Sequence, residues 1–112
     1  MLKRNSLNIL FICSRNQWRS PTAENIFKDR HGIQVRSAGT ANSARVRVSE
    51  KILQWADLIF VMEKKHKARI AEKFPSICSQ KEIVVLDIAD EYQYMDEELI
   101  EMLRASVEPF LK

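Results

Sequence analysis

The stretch Ile12–Glu24, with the sequence ICSRNQWRSPTAE, decides which fold and which chemistry the chain is expected to have. Cys13 closes an apolar run, and five mostly polar residues separate it from an Arg-Ser-Pro triplet that begins at Arg19. The run Leu7–Ile12 is typical of a strand buried on both faces, and proline is favoured in the first turn of a helix. The stretch therefore predicts a strand, a short loop and a helix, with a thiol at the first junction.

Strand-like and helix-like segments alternate along the rest of the chain, which predicts an α/β fold with a parallel sheet covered on both faces. Further strands are expected at Ile33–Arg36, Leu58–Met62 and Ile83–Leu86. Helices are expected from Pro21 to Gly32, after a cap at Ser49, over Lys64–Phe74 until Pro75 ends it, and after a cap at Asp96. The expected inward residues are Ala68, Ile70, Ala71 and Phe74 in the third helix and Leu99, Met102, Leu103 and Val107 in the last.

Ligands of such sheets bind beyond the carboxyl ends of the strands, which is where Cys13 is expected. The loop after it can curl so that backbone N–H groups point inward, and the N-terminus of the next helix adds positive potential. Arg19 supplies a planar fork that matches two phosphate oxygens. Such a field favours the thiolate form of a cysteine, so the pattern indicates a nucleophile beneath a bound phosphate. The alternative is that Cys13 is an ordinary buried cysteine and that Arg19 is a solvated arginine at the start of a helix. The combination of Cys, five residues, Arg, Ser and Pro favours a phosphate-binding site.

Three segments carry a resemblance to a known family. The stretch FICSRNQWRSPTAENIF resembles the phosphate-binding loop of the low-molecular-weight protein tyrosine phosphatases. The stretch SAGT at Ser37–Thr40 is similar to the loop after the second strand of that family, and WADLIFVME at Trp55–Glu63 is similar to its third strand. The chain also resembles, more weakly, a short bacterial branch of predicted phosphatases, in SRNQWRSPTAE and in WADLIFVME with the histidine that follows. The resemblance implies a three-layer, flavodoxin-like α/β/α sandwich with a four-stranded parallel sheet in the order 2-1-3-4, and one domain over residues 1–112.

The resemblance also implies roles for the loop residues. Cys13 is expected to be the nucleophile, Arg19 the transition-state clamp and Ser20 the partner of the thiolate. Phosphate is expected to contact the remaining residues of the loop, which are Ser14, Arg15, Asn16, Gln17 and Trp18, together with Ser20.

Asn16 matches the family's loop asparagine, which holds the loop conformation, and Ser37 would support Asn16 from behind. The plainer alternative is that Asn and Ser are common in loops because they satisfy backbone groups.

A general acid must protonate the leaving oxygen, and the family uses an Asp in an Asp-Pro-Tyr stretch. Asp90 in LDIADEYQYMDEELI matches that spacing, with Glu in place of Pro, and Asp87 is the competitor. The alternative is a solvated acidic loop leading into a helix cap. Tyr92 or Tyr94 could flank the substrate, although each could equally be a half-buried loop aromatic.

The chain departs from the family pattern at three further places. Arg15 replaces a loop glycine, which predicts strain if φ is positive there, and Trp18 replaces a second loop cysteine and either walls the pocket or packs into the core. Residues 41–54 are shorter than usual and place Arg45 and Arg47 where the family has a substrate wall. His66 is either a loop-supporting histidine or a surface residue.

The composition narrows the function classes. Of the 112 residues, 46% are hydrophobic and 29% charged, and the net charge is +3, which fits a globular protein with an anionic ligand. The basic start and short apolar run superficially resemble a signal peptide, but a first strand is the better interpretation. Cys13 and Cys78 lie far apart in the sequence, and a disulfide between them is possible in principle. A small chain with one thiol in a polar loop nevertheless indicates a reducing cytoplasm. No cofactor, metal, membrane or nucleic-acid partner is expected, and the chain is expected to be a monomer or weak dimer.

The sequence thus predicts a cysteine-dependent phosphomonoesterase, with a phosphocysteine intermediate, that acts on a phosphorylated protein, above all on phosphotyrosine, or on a small phosphoester. One alternative is a catalytically weak module that binds phosphate or a phosphoprotein. The other is an arsenate reductase, which would need additional cysteines beside Cys78.

Overall fold

A computed structural model describes residues 6–111, which form one four-stranded parallel sheet in the order β2-β1-β3-β4. The strands are β1 (Leu7–Cys13), β2 (Ile33–Gly39), β3 (Leu58–Val61) and β4 (Glu82–Val85). The helices are α1 (Arg19–Phe27), α2 (Glu50–Trp55), α3 (Lys64–Lys73), α4 (Pro75–Cys78) and α5 (Glu97–Val107), with a 3₁₀ turn at Glu108–Leu111. The predicted fold class and strand order are confirmed, while the basic start Met1–Asn5 lies outside the described residues.

Both faces of β1 are buried, so the sheet separates two apolar clusters. One cluster contains Phe11 and packs against α1 and α5; the other contains Ile12 and packs against α2, α3 and α4. The ring of Phe11 stacks on Phe27 of α1 and on Phe60 of β3, with centroids 5.9 and 5.3 Å apart. This packing fixes the direction in which β1 delivers its last residue, Cys13.

Several element boundaries differ from the predicted ones because tertiary pairing extends or shortens them. β2 runs on through Ser37–Gly39, since Gly39 is still in register with Cys13 on β1, so most of the SAGT segment is strand. The first helix begins at Arg19 and ends at Phe27, well before Gly32. Pro75 ends α3 but also begins the short helix α4, which the sequence pattern missed.

The caps predicted at Ser49 and Asp96 are confirmed, because their side chains accept hydrogen bonds from backbone amides of α2 and α5. The inward stripe of α5 is also confirmed, with Met102 only partly buried. The prediction for α3 is confirmed for Ile70, which is buried, and for Phe74, which packs against the same cluster. It was wrong for Ala68 and Ala71, which are exposed, and it missed the buried His66. No helix within residues 6–111 is long and apolar enough to cross a bilayer.

Candidate active site

A pocket of about 330 Å³ opens at the carboxyl end of β1, where the sequence places the thiol. The loop at 14–18 forms most of its wall, and one acidic residue reaches it from the chain that follows β4. The lining residues are Cys13, Ser14, Arg15, Gln17, Trp18, Arg19 and Asp90.

The backbone carbonyls of the loop face away from this pocket, because the segment after β2 binds four of them in succession. The bonds are Thr40 N–H to Cys13 (3.0 Å), Ala41 N–H to Ser14 (2.9 Å), Arg45 N–H to Arg15 (3.0 Å) and Arg45 Nε–H to Asn16 (3.2 Å). In a trans peptide unit the N–H points opposite to the C=O. The amides that follow these carbonyls therefore point toward the thiol side, as the Asn16 N–H shows by donating to Cys13 Sγ at 3.3 Å.

Gly39 allows the segment after β2 to approach the loop this closely. A Cβ on Gly39 would lie 2.5 Å from the Ser14 carbonyl oxygen, 2.7 Å from the Ala44 Cβ and 3.0 Å from the Arg15 carbonyl carbon. Real Cβ atoms do not occupy such positions, so any side chain here would push the loop outward.

The sulfur of Cys13 lies at the base of the pocket, with the residue only 3% exposed. Ser20 Oγ lies 3.0 Å from the sulfur and accepts a hydrogen bond of 2.9 Å from Asn16 Nδ2. The Ser20 hydroxyl also lies 3.4 Å from the Ala38 carbonyl, so it can donate its proton either to that carbonyl or to the sulfur. The sulfur can thus receive one backbone and one side-chain donor, which suits a thiolate.

Asn16 joins the loop to the neighbouring strand. It has a φ of 58°, a left-handed conformation that Asn tolerates better than most residues. Its Nδ2 also donates to Ser37 Oγ at 2.9 Å, and the Ser37 hydroxyl donates in turn to Glu24 Oε1. Glu24 was missed by sequence reasoning. The condition for strain at Arg15 is not met, because the positive φ of the loop falls on Asn16.

Arg19 is 2% exposed although it lines the pocket. Its Nη1 donates to Glu63 Oε1 at 2.7 Å and to the Ile88 carbonyl at 2.8 Å, so one end of the guanidinium is anchored. Burial alone would raise the pKa of the Glu63 carboxyl, but the hydrogen bond and charge of Arg19 outweigh it, so this pKa falls below its usual value. Glu63 is a second residue that sequence reasoning missed.

The two candidate acids occupy different positions. The Asp90 carboxylate lines the pocket with its Oδ1 3.6 Å from Arg19 Nε, and its side chain is 55% exposed. Asp87 is exposed, has a φ of 64° and does not line the pocket. Tyr92 and Tyr94 do not line it either: the Tyr92 hydroxyl donates to Glu98, and the Tyr94 hydroxyl accepts from Asn25.

Trp18 lies at the mouth of the pocket and is 43% exposed, so the expectation that it walls the pocket holds and the core alternative is wrong. Its carbonyl accepts both the N–H and the hydroxyl of Thr22, which fixes the first turn of α1.

His66 is buried beneath the loop, so the surface alternative was wrong. Its Nδ1 accepts the Glu63 N–H at 3.0 Å, which places the proton of the neutral ring on Nε2, 2.9 Å from Ser14 Oγ. Burial and then the charge of Arg19 lower the pKa of His66 from 6.5 to about 4. The ring is therefore neutral at neutral pH and donates to Ser14.

Comparison with known proteins agrees with this geometry. The family model described as low molecular weight phosphotyrosine protein phosphatase matches residues 8–55, which hold the thiol, the loop and the carbonyl-binding segment. A protein-arginine-phosphatase of Bacillus subtilis (strain 168) is 30% identical, over 88% of this chain and 93% of that protein. The chain belongs to the low molecular weight phosphotyrosine protein phosphatase family. It is accordingly a phosphatase, as the family and its relatives are.

Solved structures share the fold. A YwlE mutant from Bacillus subtilis superposes with a TM-score of 0.73 at 25% identity, over 96% of this chain and all (100%) of that one. A YwlE arginine phosphatase from Geobacillus stearothermophilus gives 0.75 at 23% identity, over 94% and 93% of the two chains. A low molecular weight protein tyrosine phosphatase from Streptococcus pyogenes gives 0.78 at 17% identity, over 94% and 91%.

The close approach at Gly39 gives a first test. We expect Gly39→Ala to lower kcat by about 100-fold, since a displacement of the loop by an ångström misplaces the thiol and the amides. Gly32→Ala is the control: Gly32 has a φ of 85° and lies in the turn before β2, so its substitution should lower Tm while kcat stays near wild type. The measurement is kcat with p-nitrophenyl phosphate. Equal kcat in the two variants would contradict the role of Gly39 in positioning the loop.

The buried His66 gives a second test. Because its folded pKa of about 4 lies below the unfolded value of 6.5, the unfolded chain binds the proton more readily. Its contribution to stability is full above pH 6.5 and is lost as pH falls toward 4. We expect wild type to lose about 2 kcal/mol more than His66→Gln between about pH 7 and about pH 5. Urea unfolding of both proteins measures this, and parallel pH dependences would show that His66 is not held neutral.

Proposed function

We propose that the chain, as a single domain over residues 1–112, is a cysteine-dependent phosphatase that works through a phosphocysteine. The supporting observation is the position of Cys13 Sγ at the base of a pocket whose backbone amides point inward and which Arg19 lines. The Cys13 thiolate attacks phosphorus, an S–P bond forms, and the bond to the leaving oxygen or nitrogen breaks. The electron pair of that bond goes to the leaving atom, which takes a proton from the Asp90 carboxylic acid.

The second half of the reaction hydrolyses the phosphocysteine. The Asp90 carboxylate, now deprotonated, accepts a proton from a water molecule as the water oxygen attacks phosphorus. The S–P bond breaks, inorganic phosphate leaves, and the electron pair returns to the sulfur. Ser20 stabilises the regenerated thiolate through the contact between its hydroxyl and Cys13 Sγ.

The remaining loop residues serve the transition state. The inward amides of the loop, from Ser14 to Gln17, and the guanidinium of Arg19 stabilise the negative charge on the equatorial oxygens. Asn16 and Ser37 hold the loop shape that aims those amides. Anchoring of Arg19 by Glu63 leaves the remaining guanidinium nitrogens to the phosphate.

Two substrate classes fit this chemistry, and we propose phosphotyrosine in a protein first. Basic residues dominate the pocket and its rim: Arg15 and Arg19 line it, and Arg45 binds the loop. Asp90 is the one carboxylate among the described lining residues. This balance favours a neutral leaving phenol over a cationic arginine, and the exposed ring of Trp18 offers a flat surface to an aromatic group. Phosphoarginine is the second candidate because the 30% identical Bacillus subtilis relative and the Geobacillus stearothermophilus YwlE are named arginine phosphatases.

The other readings receive less support. An arsenate reductase would need a second thiol near Cys13, but Cys78 belongs to the apolar cluster on the opposite face of the sheet. A binding module without turnover would not require an acid in the pocket, where Asp90 is present. Both thiols are free, which supports a place in the reducing cytoplasm.

Variants of the proposed nucleophile and acid test the mechanism. With p-nitrophenyl phosphate, we expect Cys13→Ser to abolish turnover and Asp90→Asn to lower kcat by about 100-fold or more. Asp87→Asn is the matched control and should stay near wild type, because Asp87 lies outside the pocket lining. Acid-quenched wild type should carry one phosphoryl group on Cys13 by mass spectrometry. A larger loss in Asp87→Asn than in Asp90→Asn would overturn the acid assignment, and turnover by Cys13→Ser would overturn the mechanism.

Substrate choice is tested with two peptides that differ only in the phosphorylated residue. We expect a higher kcat/KM for the phosphotyrosine peptide than for the phosphoarginine peptide, measured by phosphate release. Introducing a carboxylate with Gln17→Glu should shift the ratio toward phosphoarginine, because it would balance the cationic leaving group. A wild-type preference for phosphoarginine would replace the first candidate by the second.

A further inference from the structure

A basic groove adjoins the pocket on the side of Ser14. Its first part is a cavity of about 280 Å³ between α3 and the segment after β2, lined by Ser14, Thr40, Ala41, Asn42, Lys65, His66 and Arg69. Its second part is a small cavity of about 10 Å³ that shares Thr40 and Arg69 with the first, and it adds Gly39, Arg47, Val48, Ile70, Lys73 and Phe74. Ser14 also lines the Cys13 pocket, so the groove and the pocket meet at this residue.

The charges in this groove are all of one sign. Arg47, Lys65, Arg69 and Lys73 line it, and within residues 6–111 no Asp or Glu does. Lys65 Nζ also lies 3.6 Å from Glu63 Oε1, but its own side chain is 65% exposed. Because the net charge of the whole chain is only +3, this groove concentrates its positive charge beside the site.

We propose that the basic groove binds an acidic polypeptide segment of the phosphoprotein substrate, next to the phosphorylated residue. The proposal rests on the proposed function and adds to it a class of substrate, phosphoproteins with acidic side chains near the phosphorylated residue. A residue held over Cys13 leaves its neighbours at the rim, where Ser14 opens into the groove.

A polypeptide fits the groove better than a nucleic acid does. Single-stranded nucleic acids bind through aromatic rings on which the bases stack, together with positive charge. Phe74, the one aromatic residue in the described lining, is half-buried and has the Lys73 ammonium 5.8 Å from its ring centroid. The groove therefore offers charge and backbone polarity without an open stacking surface.

The groove should act on substrate binding and leave the chemical step unchanged. Its cations lie outside the described pocket lining and are solvated, so each ion pair should change affinity by about two- to five-fold. Contacts of this kind bind substrate and transition state equally, so they change KM and leave kcat constant. The effect should fade as salt screens the charges.

Binding of an unphosphorylated acidic peptide tests the groove independently of catalysis. The probes are a peptide with a glutamate block, the same peptide with glutamines, and a single-stranded oligonucleotide, measured by fluorescence anisotropy at low and high salt. The proteins are wild type, Arg69→Glu, Lys73→Glu and Lys67→Glu. Lys67 is the matched control, because it is an exposed cation of α3 that does not line the groove.

We expect the glutamate peptide to bind wild type in a salt-dependent way and more tightly than the glutamine peptide. Arg69→Glu and Lys73→Glu should each weaken it by about five-fold or more, and Lys67→Glu by less than about two-fold. The proposal would be overturned if all three variants lost affinity equally, or if wild type bound the glutamate and glutamine peptides equally well. It would also be overturned if wild type bound the oligonucleotide more tightly than the glutamate peptide and Arg69→Glu abolished that binding.

Phosphopeptides with the glutamate block before or after the phosphorylated residue then link the groove to turnover. In wild type, one of these placements should lower KM relative to the glutamine peptide, and Arg69→Glu should remove that advantage with kcat constant. An advantage that survives Arg69→Glu would contradict the proposal. If no phosphoester is hydrolysed while the difference in peptide binding persists, the proposed function fails and the groove stands.

Discussion

The hydrogen bonds between the loop carbonyls and the segment after β2 set the orientation of four successive amides in the site, from Ser14 to Gln17. Four successive carbonyls, from Cys13 to Asn16, are bound from outside by Thr40, Ala41 and Arg45. Each trans peptide then directs its N–H the other way, toward the thiol. Without that outer layer the loop would be free to turn carbonyl oxygens toward a bound anion, which would repel it. The shortened segment at 41–54 thus has a structural task that its length alone does not reveal.

Charge in the site is balanced by groups that lie behind it. Glu63 anchors Arg19 at one nitrogen, and its backbone N–H holds His66 as the tautomer that donates to Ser14. His66 stays neutral, so the layer beneath the loop adds hydrogen bonds without adding another positive charge. These contacts pre-order the clamp and the loop before an anion arrives, which reduces the reorganisation needed for reaction.

Local sequence was sufficient for the strand, the loop and the helix around Cys13, because apolar run, thiol spacing and proline act within a short stretch of chain. Local sequence was not sufficient for α3, because most residues of this helix are charged and its buried side is narrow. His66 is buried there, whereas Ala68 and Ala71 are exposed. Glu24 and Glu63 were missed for a related reason. Both are ordinary surface-type residues that become part of the site only because β2 and β3 lie beside β1 in the folded sheet.

A crystal structure of wild-type protein with vanadate tests the orientation of the loop most directly. We expect vanadium bonded to Cys13 Sγ, equatorial oxygens held by the loop amides and the Arg19 guanidinium, and the carbonyls of Cys13 to Asn16 still bound to residues 40–45. Vanadate bound elsewhere, or loop carbonyls turned into the pocket, would contradict this prediction.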